Sequence, residues 1–486
     1  MTKNILFIGI DTLRASNLSA YGYPRKTSPF MDKLANDGIY FKKCFAPVIP
    51  THPGWTSIFS GTHPLKHGIV SHMGKHVLDT KIKWLPEILK QHNYHTIAVD
   101  NLKLWFNRGF DEYVDSASVE RNGLSGLIDE ISDITAEHIN SLVNEKLTKL
   151  KKINERKQPF FLFLHYWDTH VPYSPPEPFK SLFYKGDEKN PLYRGIEKVK
   201  IMSPLWFQFR EWLKEIKDDE YVKAMYDSEI AYLDTAIKEL LISFRESDII
   251  DDTIIVITSD HGESLGEHDV FYDHHMVYNQ DIHVPLIFAN IPKEYKKIKT
   301  TEICDHTDIA PTILELLGIE EESGMTGHSL LTKNTELSND EGKTSEKPFL
   351  SMINTWNSKI AIMLGRYKLI TTLKDNDLYG RPSGYKELFD LALDPGETIN
   401  IATENQDIID HLLKVQKMYV NQMIGNSPNP LEDEPISLRG KIDEASTFYR
   451  TNGLKIKKNT CDWTVPSPQD VRRFRLLSET DKYDLQ

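Results

Sequence analysis

Short continuous apolar runs, each closed by polar residues, set the rhythm of this chain. N-I-L-F-I-G-I at 4 to 10 leads into Asp11, F-F-L-F-L-H-Y at 160 to 166 leads into Trp167, Asp168, Thr169 and His170, and T-I-I-V-I-T-S at 253 to 259 leads into Asp260 and His261. Runs of this length without alternation predict strands buried on both faces, as in a parallel sheet covered by helices. Helical periodicity falls between them, in P-F-M-D-K-L-A-N-D-G at 29 to 38, W-L-P-E-I-L-K-Q-H at 84 to 92 and Y-D-S-E-I-A-Y-L-D-T-A-I-K-E-L-L at 226 to 241. The alternation predicts an α/β fold with a large, mostly parallel sheet flanked by helices. Ligands of such sheets gather beyond the carboxyl ends of the strands, which singles out Asp11, Asp260 and His261.

The rhythm breaks twice. Residues 174 to 222 are rich in Pro, Lys, Glu and aromatics and read as an insertion that could lid the site. The polar stretch K-N-T-E-L-S-N-D-E-G-K-T-S-E-K at 333 to 347 has no core-forming pattern and marks a boundary near residue 340. Strand-like pieces at 349 to 353, 360 to 364 and 367 to 372, then a helical pattern at 406 to 423, predict a small α+β domain over 341 to 440. Residues 441 to 486 lack periodicity and are expected to form a C-terminal arm.

Composition narrows the class. With 40% hydrophobic and 27% charged residues in 486, the chain is an ordinary globular one, and no apolar run reaches the roughly 18 residues of a membrane span. Only Cys44, Cys304 and Cys461 are present, too few for a disulfide framework. The N-terminus reads as a buried strand, not a signal peptide, so the expected compartment is the cytoplasm and no membrane partner is expected. A net charge of −13 disfavours nucleic acid as a partner, while a metal-containing pocket could still attract a small anion.

Two carboxylates and an imidazole from separate strand ends suit a divalent metal, Zn²⁺ or Mn²⁺ before Ca²⁺ or Mg²⁺. The bland reading has Asp260 capping a helix and His261 packing. Thr51 lies in V-I-P-T-H-P-G-W-T-S-I-F-S-G-T-H-P at 48 to 64, either as a helix cap after Pro50 or as a metal-activated nucleophile and ligand. Metal coordination makes the alkoxide accessible and offsets charge on a substrate oxygen.

N-I-L-F-I-G-I-D-T-L-R-A-S-N-L-S-A-Y-G-Y, P-T-H-P-G-W-T-S-I-F-S-G, T-S-D-H-G-E-S-L-G-E-H and E-L-F-D-L-A-L-D-P-G-E-T-I-N-I-A together resemble the sulfatase-like branch of the alkaline phosphatase superfamily, from residue 4 to about 420. The resemblance implies a metal site of Asp11, Asp260 and His261 beside Thr51, and a smaller C-terminal domain with an antiparallel sheet. Thr12 stands where relatives often carry a second Asp or an amide. His170 matches a substrate-binding or leaving-group His, and His274 falls where sulfatases commonly have a Lys. Asn101 and Lys103 lie near substrate-contacting positions of relatives. Asp168, His170, His274 and His275 raise a second metal as an alternative, while His72, Lys75 and His76 are ambiguous and Asp305 and His306 read as structural.

Sulfatases convert the Cys or Ser of a C/S-x-P-x-R pattern to formylglycine. Here Thr51 occupies that position and Trp55 the Arg position, so no formylglycine is expected. Superfamily members that use Thr act on phosphorus. The expected activity is therefore hydrolysis of phosphate diesters or phosphonate monoesters through a phosphothreonine, with His170 or His274 assisting the leaving group. A sulfatase without formylglycine, a phosphotransferase, or an inactive binding protein on the same scaffold are the alternatives, and a homo-oligomer is compatible with the resemblance.

Overall fold

The computed structural model describes residues 3–72, 76–117, 134–295, 302–320, 322–331, 347–375 and 377–435. Its main sheet has seven strands in the order Ile39–Tyr40, Leu286–Ala289, Thr253–Ser259, Asn4–Ile10, Phe160–Tyr166, His95–Asp100 and Glu112–Asp115. The last five run parallel, and Leu286–Ala289 pairs antiparallel with both its neighbours. Every residue of the three central strands is buried, which is why their sequences are continuous apolar runs and not alternating ones.

Helices Pro29–Asp37, Leu85–Gln91 and Asp219–Glu246 form where the periodicity places them, the last starting seven residues earlier than its apolar pattern, with the Asp218 side chain accepting from Glu220 N–H. Within 174 to 222, helices Gly195–Met202 and Trp206–Leu213 pack against the core. The C-terminal part carries a four-stranded antiparallel meander, Phe349–Thr355, Asn357–Leu364, Tyr367–Thr372 and Lys386–Asp390, and the helix Gln406–Ile424. The sequence-derived boundary at 333 to 347 falls almost wholly outside the described residues, as does the arm at 441 to 486. Among the described residues no helix is long and apolar enough to cross a membrane.

Two close approaches hold the site together. The ring of Trp55 lies so near Gly9 that a Cβ there would stand 2.3 Å from it, and a Cβ on Gly54 would stand 2.9 Å from the Asp260 carbonyl oxygen. The helix Thr51–Ser60 therefore presses its first turn onto the ends of the central strands.

Candidate active site and metal centre

Asp11 follows Asn4–Ile10, and Asp260 and His261 follow Thr253–Ser259, its neighbour in the sheet. The parallel register places Ile10 opposite Ser259, so the residues that follow emerge side by side. All three side chains are fully buried, and one donor atom from each lies within 4.8 Å of the others. Among the described residues this is the one such group of His, Cys, Asp and Glu, so Asp168, His170, His274 and His275 do not form a second.

Thr51 is the first residue of its helix. Pro50 is the cap and supplies no side-chain hydrogen bond, and the Thr51 hydroxyl instead lies 3.5 Å from Asp11 Oδ2 and 3.3 Å from His261 Nε2. Asp260 begins no helix either. Its Oδ1 accepts from the His261 backbone N–H at 3.0 Å, while its Oδ2 stands 3.3 Å from His261 Nε2.

Burial and the adjacent Asp11 charge push the Asp260 carboxyl well above the usual carboxylate range. Burial also raises Asp11, but His165, His261 and His170 outweigh it and hold that carboxyl low. Burial and the neighbouring His274 depress the His261 imidazole to about 3, leaving it neutral and able to coordinate. Asp11 Oδ1 and Asp260 Oδ2 have no hydrogen-bond partner although both are buried. Orphaned carboxylate oxygens beside a neutral imidazole fit a divalent cation, and a mixed oxygen and nitrogen donor set suits Zn²⁺ or Mn²⁺.

An open pocket of about 690 Å³, counting the solvent space at its mouth, lies at Thr51. His72, His170, Asp273, His274 and His275 supply polar lining, and Trp167, Leu205, Phe209, Tyr272 and Trp356 supply apolar walls. Leu205 and Phe209 come from the 174–222 segment, and Trp356 from the turn between the first two C-terminal strands.

His274 Nδ1 pairs with Glu263 Oε1 at 3.2 Å, and its ring stacks on His261 at 4.5 Å between centroids. His275 Nδ1 pairs with Asp273 Oδ1 at 2.5 Å, and Tyr379 binds the other Asp273 oxygen. His170 Nδ1 lies 2.7 Å from the Val171 carbonyl oxygen, and the His170 and His274 rings stand 5.2 Å apart.

The remaining expected contacts are placed elsewhere. The Thr12 hydroxyl donates to the Thr169 carbonyl at 2.5 Å. Lys103 pairs with Asp115 at 2.9 Å with its side chain 62% exposed, and neither it nor Asn101 is among the cavity's lining residues. Asp168 Oδ1 accepts from Ala136 N–H at the start of a helix, and burial pushes its carboxyl up to about 7. His76 pairs with Asp433, Lys75 lies outside the described residues, and Asp305 and His306 serve a capping box and a bond to the Ser259 carbonyl.

Sequence reasoning passed over His165, Asp100 and Glu263. A signal existed for the first: His165 is the sole ionisable side chain within 160 to 165 of an otherwise apolar buried run.

The protein-family model described as Sulfatase matches residues 3–319. The chain belongs to the sulfatase family. A second model, N-sulphoglucosamine sulphohydrolase, C-terminal, matches residues 266–423 of this sulfatase-family protein. A protein named Sulfatase from Formosa agariphila is 25% identical over 448 residues, covering 82% of this chain and 83% of its own. Arylsulfatase K of Mus musculus is 32% identical over 213 residues, covering 43% of this chain and 36% of its own. Among solved structures, an enzyme in complex with its substrate D-glucosamine-2-N,6-O-disulfate superposes with a TM-score of 0.67 at 21% identity, covering 89% of this chain and all (100%) of the other. The phosphonate monoester hydrolase of Agrobacterium radiobacter superposes with a TM-score of 0.63 at 19% identity, covering 86% and 95%. At these identities the superpositions speak for the fold alone.

Proposed function

We propose that this sulfatase-family hydrolase cleaves phosphate diesters or phosphonate monoesters, with Thr51 as the nucleophile. The observation that carries the proposal is the Thr51 hydroxyl at the cavity floor, 3.3 Å from His261 Nε2 and 3.5 Å from Asp11 Oδ2. Asp11, Asp260, His261 and the Thr51 oxygen are the groups that would hold the ion. A divalent ion bound there supplies charge that lowers the cost of the alkoxide and offsets a nonbridging oxygen of the ester.

The chain's own groups account for the rest. Asp11 Oδ2 is placed to take the hydroxyl proton as the Thr51 oxygen bonds to phosphorus. The ester P–O bond then breaks, and the departing alkoxide takes a proton from an imidazole. Glu263 engages the His274 Nδ1, leaving Nε2 for the leaving group; burial, His275 and His170 hold this imidazole well below the ordinary value, so it takes up the proton it donates only as the anionic ester binds. His170 is the other imidazole at the cavity wall. Water then attacks phosphorus and gives a proton back to the imidazole, and as the Thr51–phosphorus bond breaks the Thr51 oxygen recovers the proton held on Asp11.

Phosphorus is favoured over sulfur by the chemistry of Thr. Its Cβ carries a methyl group, so oxidation cannot yield the aldehyde of formylglycine, and its esters lack the second hydroxyl that would eject sulfate by elimination. The names of the relatives favour the second reading, a sulfate ester hydrolase working without formylglycine. A parallel assay of Zn²⁺- and Mn²⁺-loaded protein on bis(p-nitrophenyl) phosphate, p-nitrophenyl phenylphosphonate and p-nitrophenyl sulfate separates the two. The expected result is a higher kcat/KM on the diester or phosphonate, and a preference for sulfate would overturn the proposal.

A further inference from the structure

His165 is buried in the centre of the main sheet, on the strand Phe160–Tyr166 beside Asn4–Ile10, with Gly9 as its register partner. An imidazole there would be costly without polar partners, and it has carboxylates on both sides. Its Nδ1 lies 2.9 Å from Asp100 Oδ1, and Asp100, also buried, accepts the Tyr113 hydroxyl through Oδ2 at 2.5 Å. Its Nε2 has no hydrogen-bond partner among the described residues and faces Asp11 Oδ2, 3.6 Å away. Trp55 and Trp167 flank the ring, at centroid distances of 5.1 and 4.5 Å, and restrict its rotation.

The two oxygens of Asp11 are thereby treated differently. Oδ2 is the one near His165 Nε2 and the Thr51 hydroxyl, whereas Oδ1 has no protein hydrogen bond. His165 itself stands outside the group of three residues whose donor atoms converge. Groups that grip a ligating side chain from behind orient it, and their loss typically weakens metal binding about 10–100-fold.

We propose that His165, braced by Asp100, is a positioning residue that turns the Asp11 carboxylate so that Oδ1 is presented to the metal ion. The proposal rests on the reading of Asp11, Asp260 and His261 as the metal site. Neither His165 nor Asp100 is among the residues that line the cavity, so both act through Asp11.

The test compares two shortened analogues of the imidazole. His165→Asn keeps an amide near the Nδ1 position and loses the reach to Asp11, and His165→Gln places an amide near the Nε2 position. Zn²⁺ dissociation constants come from competition with a chromophoric chelator, and the ligand field from the visible absorption of Co²⁺-loaded protein. His165→Asn is expected to weaken Zn²⁺ binding about 10–100-fold, with His165→Gln recovering most of the loss and Asp100→Asn weakening it in the same range. The Co²⁺ spectrum at saturation is expected to stay that of the wild type in all three. Asp100→Asn carries the test alone if the His165 variants do not fold.

A packing role for the ring between its two tryptophans would weaken both His165 variants alike, and that result would overturn the proposal. Unchanged affinity in His165→Asn and Asp100→Asn would do the same, and so would a shifted Co²⁺ spectrum, which would make His165 a direct ligand. Asp260→Asn serves as the control for the underlying reading. Loss of binding in Asp260→Asn with none in His165→Asn defeats this proposal alone, and a wild type that binds no metal defeats both.

Discussion

Replacing Asp260 by Asn should change stability in opposite directions with and without metal. In the metal-free protein Asp260 is fully buried beside Asp11, and its Oδ2 has no hydrogen-bond partner. Burial and Asp11 raise its carboxyl above the ordinary value of 3.8, so near neutral pH the folded chain binds protons there more tightly than the unfolded chain does. The favourable contribution of such a group is complete below its unfolded pKa and is lost as pH rises through its folded one. Asn keeps an oxygen for the His261 N–H and carries no charge, so the metal-free variant should gain about 1–2 kcal/mol over the wild type at pH 7 to 8, and less as pH falls toward 4. With metal the order reverses. At a free concentration 100 times Kd the ion stabilises the wild type by about 2.7 kcal/mol, and a 100-fold weaker variant gains only about 0.4 kcal/mol. Urea unfolding followed by tryptophan fluorescence, in chelator and then in Zn²⁺, measures both halves. A variant less stable than the wild type in chelator and equally stabilised by Zn²⁺ would show that the cluster is a structural pair and not a metal site.

The other expectations concern the cavity. Thr51→Ala should lower kcat at least about 1,000-fold, with Thr51→Ser retaining measurable turnover, in steady-state assays on the preferred ester. His274→Ala should lower kcat about 100-fold or more on alkyl esters and far less on p-nitrophenyl esters, whose leaving group needs no proton; equal losses on both would remove His274 as the acid. Phe209→Ala removes one aromatic wall of the cavity and should raise KM with little change in kcat, whereas a fall in kcat alone would place Phe209 in the chemistry.

The sequence exposed what depends on local chain chemistry. Buried parallel strands are continuous apolar runs, so Asn4–Ile10, Phe160–Tyr166 and Thr253–Ser259 and the residues beyond their ends could be read directly. The C-terminal strands and the helix Gln406–Ile424 were legible for similar reasons of pattern. What depends on the meeting of distant segments was not. Nothing near residue 165 announces that Asp100, 65 positions away, will hold its Nδ1. Trp356 reaches the cavity from the C-terminal sheet, and Phe209 reaches it from a helix within a stretch that looked only irregular. Lys103 illustrates the opposite case, a cation beside a strand end whose side chain finds Asp115 at the surface.

The most direct test of Thr51 is mass spectrometry of acid-quenched, metal-loaded protein, mixed for milliseconds with the aryl phosphonate or diester that it turns over fastest. A peptide spanning Thr51 that carries the phosphonyl or phosphoryl group, absent in Thr51→Ala, is the predicted result. An unmodified Thr51 throughout turnover, together with an active Thr51→Ala protein, would contradict it.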